Sequence, residues 1–562
     1  QNAFIEIQAE DDVIVVGLAT AGNVTTTNGA ITMIAGNANS SDSDGVNGLN
    51  TLINADGIYI GSPTANSTTL VQSGGAAGAM TLTATANLGR VRVSGGDTGG
   101  ANVQVISSAD MTISATGAAT GPGTLSATDS SAALLVQGGS AGSTTASVTS
   151  NSTTATAQVS TLGAGGLRIQ GGTGGGSFAL MTTTGRQTST VTGVAATDSI
   201  LIQGGTTSSD NATRFRRRER GPSIITLTNG NMRVEGGVGG GSSALVSSSG
   251  LNAGANLEGQ RIVISAGNLV VDAGNNAAGS SSATIELTNP GAATQFIDVE
   301  GTISVLGGDG GGEAATIRSA GFNLVNGLAQ DINSLNAFLI QSGNTNGGNA
   351  SVDSTGVFGR QQIVVQTGNL SILQGAGAGN QSFIRAAGDN GVTLPGQEAQ
   401  RIIVSSGNLI VSAVGTSGQT SFIDLINATT ATQFIDVEGT VTVQGGLSGA
   451  SARIRSAGFN TVNGLAQDIN SLNAMLIQSG SVGGSGASLQ STGAFGRQQV
   501  VVQTGNLSIL AGLTGLVILP SSVALEIMGP PCLDRKPKEL LFPMVISFWM
   551  RMVWAPISPL SN

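Results

Sequence analysis

The sequence predicts an all-β fold, a parallel β-helix (β-solenoid) of about 16 coils of ~35 residues, with three short strands in each. Three observations carry this. A 26-residue line, "RSAGFNLVNGLAQDINSLNAFLIQSG" at 318–343, returns 137 residues later at 455–480, changed only to Thr461 for Leu324 and Met475 for Phe338. Stacked repeats copy core and surface together in this way, and globular enzymes do not. Within the copy, shorter units open on glutamine at Gln260, Gln295, Gln330 and Gln361, then at Gln400, Gln433, Gln467 and Gln498, spaced 31 to 39 residues apart. The 87 glycines and 3% aromatics among 562 residues suit many short strands joined by tight turns, and 39% hydrophobic residues is too many for a disordered chain.

Each unit holds three apolar stretches. In the first, "QRIVIS" turns Ile262 and Ile264 to one side, "GNLVVDAG" Leu269 and Val271, and "SATIELT" Ala283, Ile285 and Leu287. Polar or small residues stand between them, so one face of each strand points inward and the other to water. No strand is long enough for a sheet of its own, so the first strand of each unit pairs with the first of the next, in parallel and in register. The Gly-rich stretches, "GGTGGGSFA" at 171–179 and "GGDGGGEAA" at 307–315, become turns where positive φ is needed. "LAQDINSLNAFLI" is the best helical candidate, but its place at a unit start makes it a strand. Looser spelling of the same pattern at 134–150, 167–183 and 200–213 extends the solenoid over residues 1–512, with near-identical long repeats at about 260–399 and 400–512. At ~4.8 Å per coil the expected rod is roughly 75–80 Å long.

Side chains that recur once per coil must stack along the axis. The glutamines, and the asparagines of the "GN" turns (Asn268, Asn369, Asn408, Asn506), are expected to form structural ladders in which each amide donates to the next. Other candidates are weaker. "SDSDG" (41–45) alternates Asp42 and Asp44 before a glycine, as calcium loops do, but the later acidic ligand is missing, and the Asp of "GGDGGGEAA" does not recur with a nine-residue period. Asp298 and Glu300 in "FIDVEGT", repeated as Asp436 and Glu438, lie two apart in a strand and four coils from their copies, which fits outward surface charge rather than a catalytic pair. "RFRRRER" (214–220) is the one basic cluster: a solvated loop between coils, a sequence artefact, or a hold on a polyanion such as a cell-surface polysaccharide.

These features set the functional expectation. A net charge of −10 without a basic stripe argues against nucleic acid. Cys532 is the only cysteine and His is absent, so no disulfide, metal or cofactor is expected. With one Tyr (Tyr59) and no Trp before the tail, sugar-stacking platforms are lacking, and no catalytic residue is assigned. Gln1 leads straight into the alternating "AFIEIQ", as in a mature protein or a fragment.

Gln-started units, "GNLxVxxG" turns and "ATIxSxG" third strands together resemble the β-strand-repeat surface exoproteins of bacteria, in the style of filamentous-haemagglutinin-like adhesins. The resemblance covers nearly all of residues 1–512 and is one of pattern. It implies a secreted or surface-displayed filament that scaffolds or adheres. The expectation is therefore a non-enzymatic structural protein, extracellular or at the cell surface. Its partner is itself, end to end or laterally, with surface polysaccharide a further candidate. An adhesin that binds glycans through its loops comes second, and a polysaccharide-active enzyme third.

After residue 512 the alphabet changes. Trp549, Trp554, Cys532, Lys536, Lys538 and seven of the 12 prolines lie there. "ELLFPMVISFWM" falls short of the ~20 apolar residues of a membrane span and holds Pro543. Re-read in a shifted frame, 515–547 spells a version of 378–410. Methionine has a single codon, so Met528, Met544 and Met552 force glycine, matching Gly391, Gly407 and Gly415. Residues 513–562 are expected to be an out-of-frame translation of further coils.

Overall fold

The computed structural model describes residues 4–527 except for stretches between strands, the longest at 37–56 and 118–131. The chain divides into units 1–529 and 530–562, and the second lies outside the described residues.

Every coil of the first unit is dictated by the alternation read above. A first strand such as Gln400–Val404 buries every second side chain, turns at "SSGN" into Leu409–Ser412, and is followed by the third strand Thr420–Leu425. Three parallel sheets result, and no helix occurs among the described residues. The segment "LAQDINSLNAFLI" forms the strands Leu328–Ser334 and Phe338–Gln341. Positive φ appears in the Gly-rich turns, at +74° for Gly176 and +82° for Gly312, where an L side chain would be strained.

The first and second sheets each have 16 strands and the third has 14. Neighbours pair in parallel, as in Gln295↔Gln330 and Leu269↔Ile303, apart from the last strand of the first two sheets. Residues Gly515–Leu519 run antiparallel to Leu507–Ala511, and Ala524–Ile527 antiparallel to Arg497–Val502. The expected count of about 16 coils is therefore too high. Fourteen three-stranded turns are complete, and the sixteenth strand of each longer sheet folds back instead of climbing. The early turns are also uneven in length: Ile31 follows its neighbour Ile5 by 26 residues, and Met80 follows Ile31 by 49.

One continuous aliphatic core runs from Val13 to Leu507. Each inward side chain sits between its counterparts above and below, as Phe338 does between Ile303 and Leu370. Burying each such side chain stabilises by about 1.5–3 kcal/mol. Phe338 and its copy Met475 are both fully buried, so this column accepts either a ring or a flexible thioether. The other difference between the copies, Leu324 and Thr461, lies outside the described residues.

Candidate functional site

The eight glutamines stand in one register column at the entrance to the first sheet. All are buried, seven of them at 0% exposure. Each Nε2 donates to the Oε1 of the preceding coil: Gln295 to Gln260 at 2.7 Å, Gln330 to Gln295 at 2.7 Å, Gln361 to Gln330 at 2.8 Å, Gln400 to Gln361 at 2.8 Å and Gln433 to Gln400 at 2.6 Å. Gln467 donates to Gln433, and Gln498 to Gln467. A second N–H reaches across the corner to a backbone carbonyl of the third sheet, from Gln295 to Arg318, Gln361 to Arg385 and Gln433 to Arg455, at 3.1–3.2 Å. That carbonyl fixes which end of the amide is nitrogen, so the ladder has a direction. Fully partnered, such a column offsets the desolvation of its amides; broken, it leaves polar atoms bare in the core.

Two members escaped the sequence reading. Gln158 and Gln187 occupy the same column, with Gln187 donating to Gln158 at 2.7 Å. Ser223 follows Gln187 and precedes Gln260, and it interrupts the ladder. The Ser223 hydroxyl and Gln187 Oε1 are buried there without a hydrogen-bond partner. Both missed glutamines open alternating runs, "AQVSTL" and "RQTSTV", which was the available signal.

The asparagines are not a continuous ladder, contrary to expectation. Asn408 donates to Asn369 at 3.2 Å, and Asn268 to Asn231, a residue not singled out from sequence, at 3.1 Å. Thr302 and Thr440 occupy the next coil, and their backbone N–H groups close each pair on the Asn268 and Asn408 side-chain oxygens, both at 2.8 Å. Ala337 and Ala474 follow, so Asn506 sits above an alanine. Only some "GN" turns are axial neighbours, because unlike turns come between them.

On the outward face of the third sheet the structure assembles a second column, this one of alternating charge. Along it stand Glu286, Arg318, Asp353, Arg385, Asp424 and Arg455. Arg318 pairs with Glu286. Arg385 meets Asp353 through two hydrogen bonds of 3.0 and 2.6 Å, which hold its guanidinium above its ordinary pKa. Asp424, 2% exposed at its side chain, takes Arg453 through two bonds and Arg455 at 2.7 Å. Phe383 and Phe422 stack between them at 4.8 Å, with Arg385 over the first ring and Arg453 over the second.

The acidic motif does not converge. Asp298 and Asp436 are half-buried, Glu300 and Glu438 are exposed, and other coils separate the copies. Part of the basic cluster is not a loop: Ala212–Arg217 is a strand of the third sheet, with Phe215 fully buried between Met181 and Val246. The β-compatible pattern around Phe215 outweighs the charge. Residues 218–220 and "SDSDG" lie outside the described residues, as does most of the tail.

An open cleft lies against the early coils. It has a volume of about 440 Å³ and is lined by Ala77, Ser108, Asp110, Asn151, Ser152 and Thr154. Burial disfavours the Asp110 carboxylate, but hydroxyls of Ser152 (2.6 Å), Thr154 (2.5 Å) and Thr156 (2.5 Å) donate to it and hold its pKa below the ordinary value. Among the described residues, no three His, Cys, Asp or Glu side chains gather as a metal ion would require. No protein-family model and no curated protein matches this chain.

Proposed function

We propose that the chain is a non-enzymatic structural protein, an extracellular β-solenoid rod that forms or belongs to a surface filament. The observation that supports this best is the directional amide column from Gln260 to Gln498. In it the repeat commits its buried amides to holding coil on coil. Dense axial pairing of this kind suits a load-bearing element that keeps its shape outside the cell without disulfides. Electron microscopy of the native material tests the reading: thin fibres are expected, and discrete compact particles would overturn it. Clear turnover of a polysaccharide would overturn it too.

A second reading, an adhesin for surface glycans, draws on the hydroxyl-lined cleft at Asp110. Selective glycan-array binding that Asp110→Asn abolishes would favour it over a purely structural role. For residues 513–562 the proposal remains an out-of-frame translation. The gene decides: its codons must spell further coils in the alternative frame.

A further inference from the structure

We infer that the outward face of the second sheet, from the strand Ile303–Leu306 onward, is a lateral docking surface for a second copy of this chain. The inference rests on the filament reading and adds to it which of the three faces makes side-to-side contact.

The first argument is charge. Over the same coils the first sheet turns Asp298, Asp331, Arg401 and Asp468 outward, and the third carries the alternating column already described. The second sheet carries Arg233, Glu235 and Asp272 as far as its strand Leu269–Asp272. After Asp272 none of its described strands has a charged residue. Protein surface that meets only water ordinarily mixes charges of both signs, and an extended uncharged face with exposed aliphatic groups marks a contact site.

The second argument is period. One outward column of this sheet alternates from coil to coil without exception. Val270, Leu339, Ile410 and Leu476 are aliphatic. Ser304, Ser371, Thr442 and Ser508, in the coils between, bear hydroxyls. All eight are half-buried, with part of each side chain open to solvent. The aliphatic knobs thus recur every second coil, roughly 9.6 Å apart, with a small residue between. Such a surface complements itself: a shift of one coil seats each Leu or Ile of one copy over a Ser or Thr of the other. Two sheets so matched pack at ~10 Å with their side chains interleaved.

The third argument is area. Seven coils at ~4.8 Å and four residues at ~3.3 Å give about 440 Å² on each copy, or about 900 Å² in total. That falls a little short of the ~1,000 Å² a specific interface needs. A single chain pairs weakly on these terms, and a filament that repeats the face pairs firmly.

The test uses the full chain, with rod width and mass per unit length read by electron microscopy. Wild type is expected as paired rods. Leu339→Lys with Ile410→Lys, which places four buried charges at each paired interface, is expected as single rods of half the mass per length. Thr284→Lys with Ser451→Lys, on the outward face of the third sheet, is expected to pair as wild type does. If the lysine pair on the second sheet prevents folding, Leu339→Ser with Ile410→Thr removes the knobs while keeping strand-compatible residues, and loss of pairing is again expected. Wild-type filaments of single width, or equal loss of pairing from the third-sheet control, would overturn the docking face and leave the filament reading intact. Absence of elongated particles would remove both.

Discussion

The same corner of the solenoid is built in two ways. In the first coils the position that opens the first sheet holds Ile5, Ile31, Met80 and Met111. From Gln260 to Gln498 it holds an unbroken run of buried glutamines, and Gln158, Gln187 and Ser223 lie between the two regimes. Gln158 marks the seam, its Nε2 resting 3.7 Å from the Met111 sulfur. Backbone pairing is parallel on both sides, so the fold does not require amides. An apolar column forgives a change of shape, because each side chain packs independently of direction. An amide column is all or none: one apolar residue strands an acceptor below and a donor above.

The largest effect should come from breaking that column. Gln330→Leu removes the donor to Gln295 Oε1 and the acceptor for Gln361 Nε2. Gln361 keeps its bond to the Arg385 carbonyl, so what is stranded is Gln295 Oε1 and one N–H of Gln361; at ~1–3 kcal/mol each the expected loss is about 2–6 kcal/mol. Met80→Leu, at the same corner in the apolar region, should cost less than about 1.5 kcal/mol. Urea unfolding followed by circular dichroism checks both, and equal costs would show that the amide hydrogen bonds contribute nothing beyond packing.

Next comes the outer charge column. Asp424 is nearly buried and accepts from both Arg453 and Arg455, so Asp424→Ala leaves two guanidinium groups side by side. The arginines keep about a third of their surface in water, which limits the loss to about 1–3 kcal/mol. Glu286→Ala is the comparison, since Arg318 is 47% exposed, and there the loss should stay within about 1 kcal/mol. Thermal melts of the two variants rank them, and a larger drop for Glu286→Ala would refute the assignment.

A third change should stabilise. Ser223 stands between Gln187 and Gln260 in register, with unpartnered oxygens on both Ser223 and Gln187. Ser223→Gln supplies a donor for Gln187 Oε1 and an acceptor for Gln260 Nε2, joining the two amide runs. A gain of about 1–2 kcal/mol in urea unfolding is expected. A loss would mean that the corner at Ser223 is too narrow for the longer side chain.

How much of this was legible beforehand follows from what repeats. Three strands per unit and the inward faces could be read because Ile262, Ile264, Leu269 and Val271 alternate locally. The glutamine column could be read because its members open near-identical lines. The charge column could not, since Glu286, Arg318 and Asp353 become neighbours only when coil lengths of 32 and 35 residues are known. The coil count failed for the same reason: the strands keep to four to seven residues, while the connections between them vary far more. The change of alphabet after residue 512 was plain, and strand direction reverses at 515–519. The gap at Ser223 needed the register of its neighbours.

The smallest effect separates the two regions by pH. Three hydroxyl donors hold Asp110, in the N-terminal coils, below its ordinary pKa against the pull of burial. Its contribution is present above the unfolded carboxylate range and is lost as pH falls through the lowered value. In the repeat the sign is opposite. Asp331 is raised chiefly by burial, with neighbouring Asp298 adding to the shift and Gln362, Asn333 and Arg360 opposing it. Asp468, one long repeat later, is raised by burial and by Asp436 and Glu398, against a hydrogen bond from Asn470. A raised carboxyl contributes stability that is complete below its unfolded value and is lost as pH rises through its folded one. Acidification should therefore weaken the coils around Asp110 and relieve those around Asp331 and Asp468. Asp331→Asn with Asp468→Asn should make the repeat more stable at neutral pH and flatten its acid-side gain. Asp110→Asn should cost stability at neutral pH and remove the acid-side loss from the N-terminal coils. Hydrogen exchange resolved by segment, run at matched exchange rates from pH 4 to 7, reads both halves in one chain. Protection that changes in the same direction in both would show that these carboxyls do not set the difference.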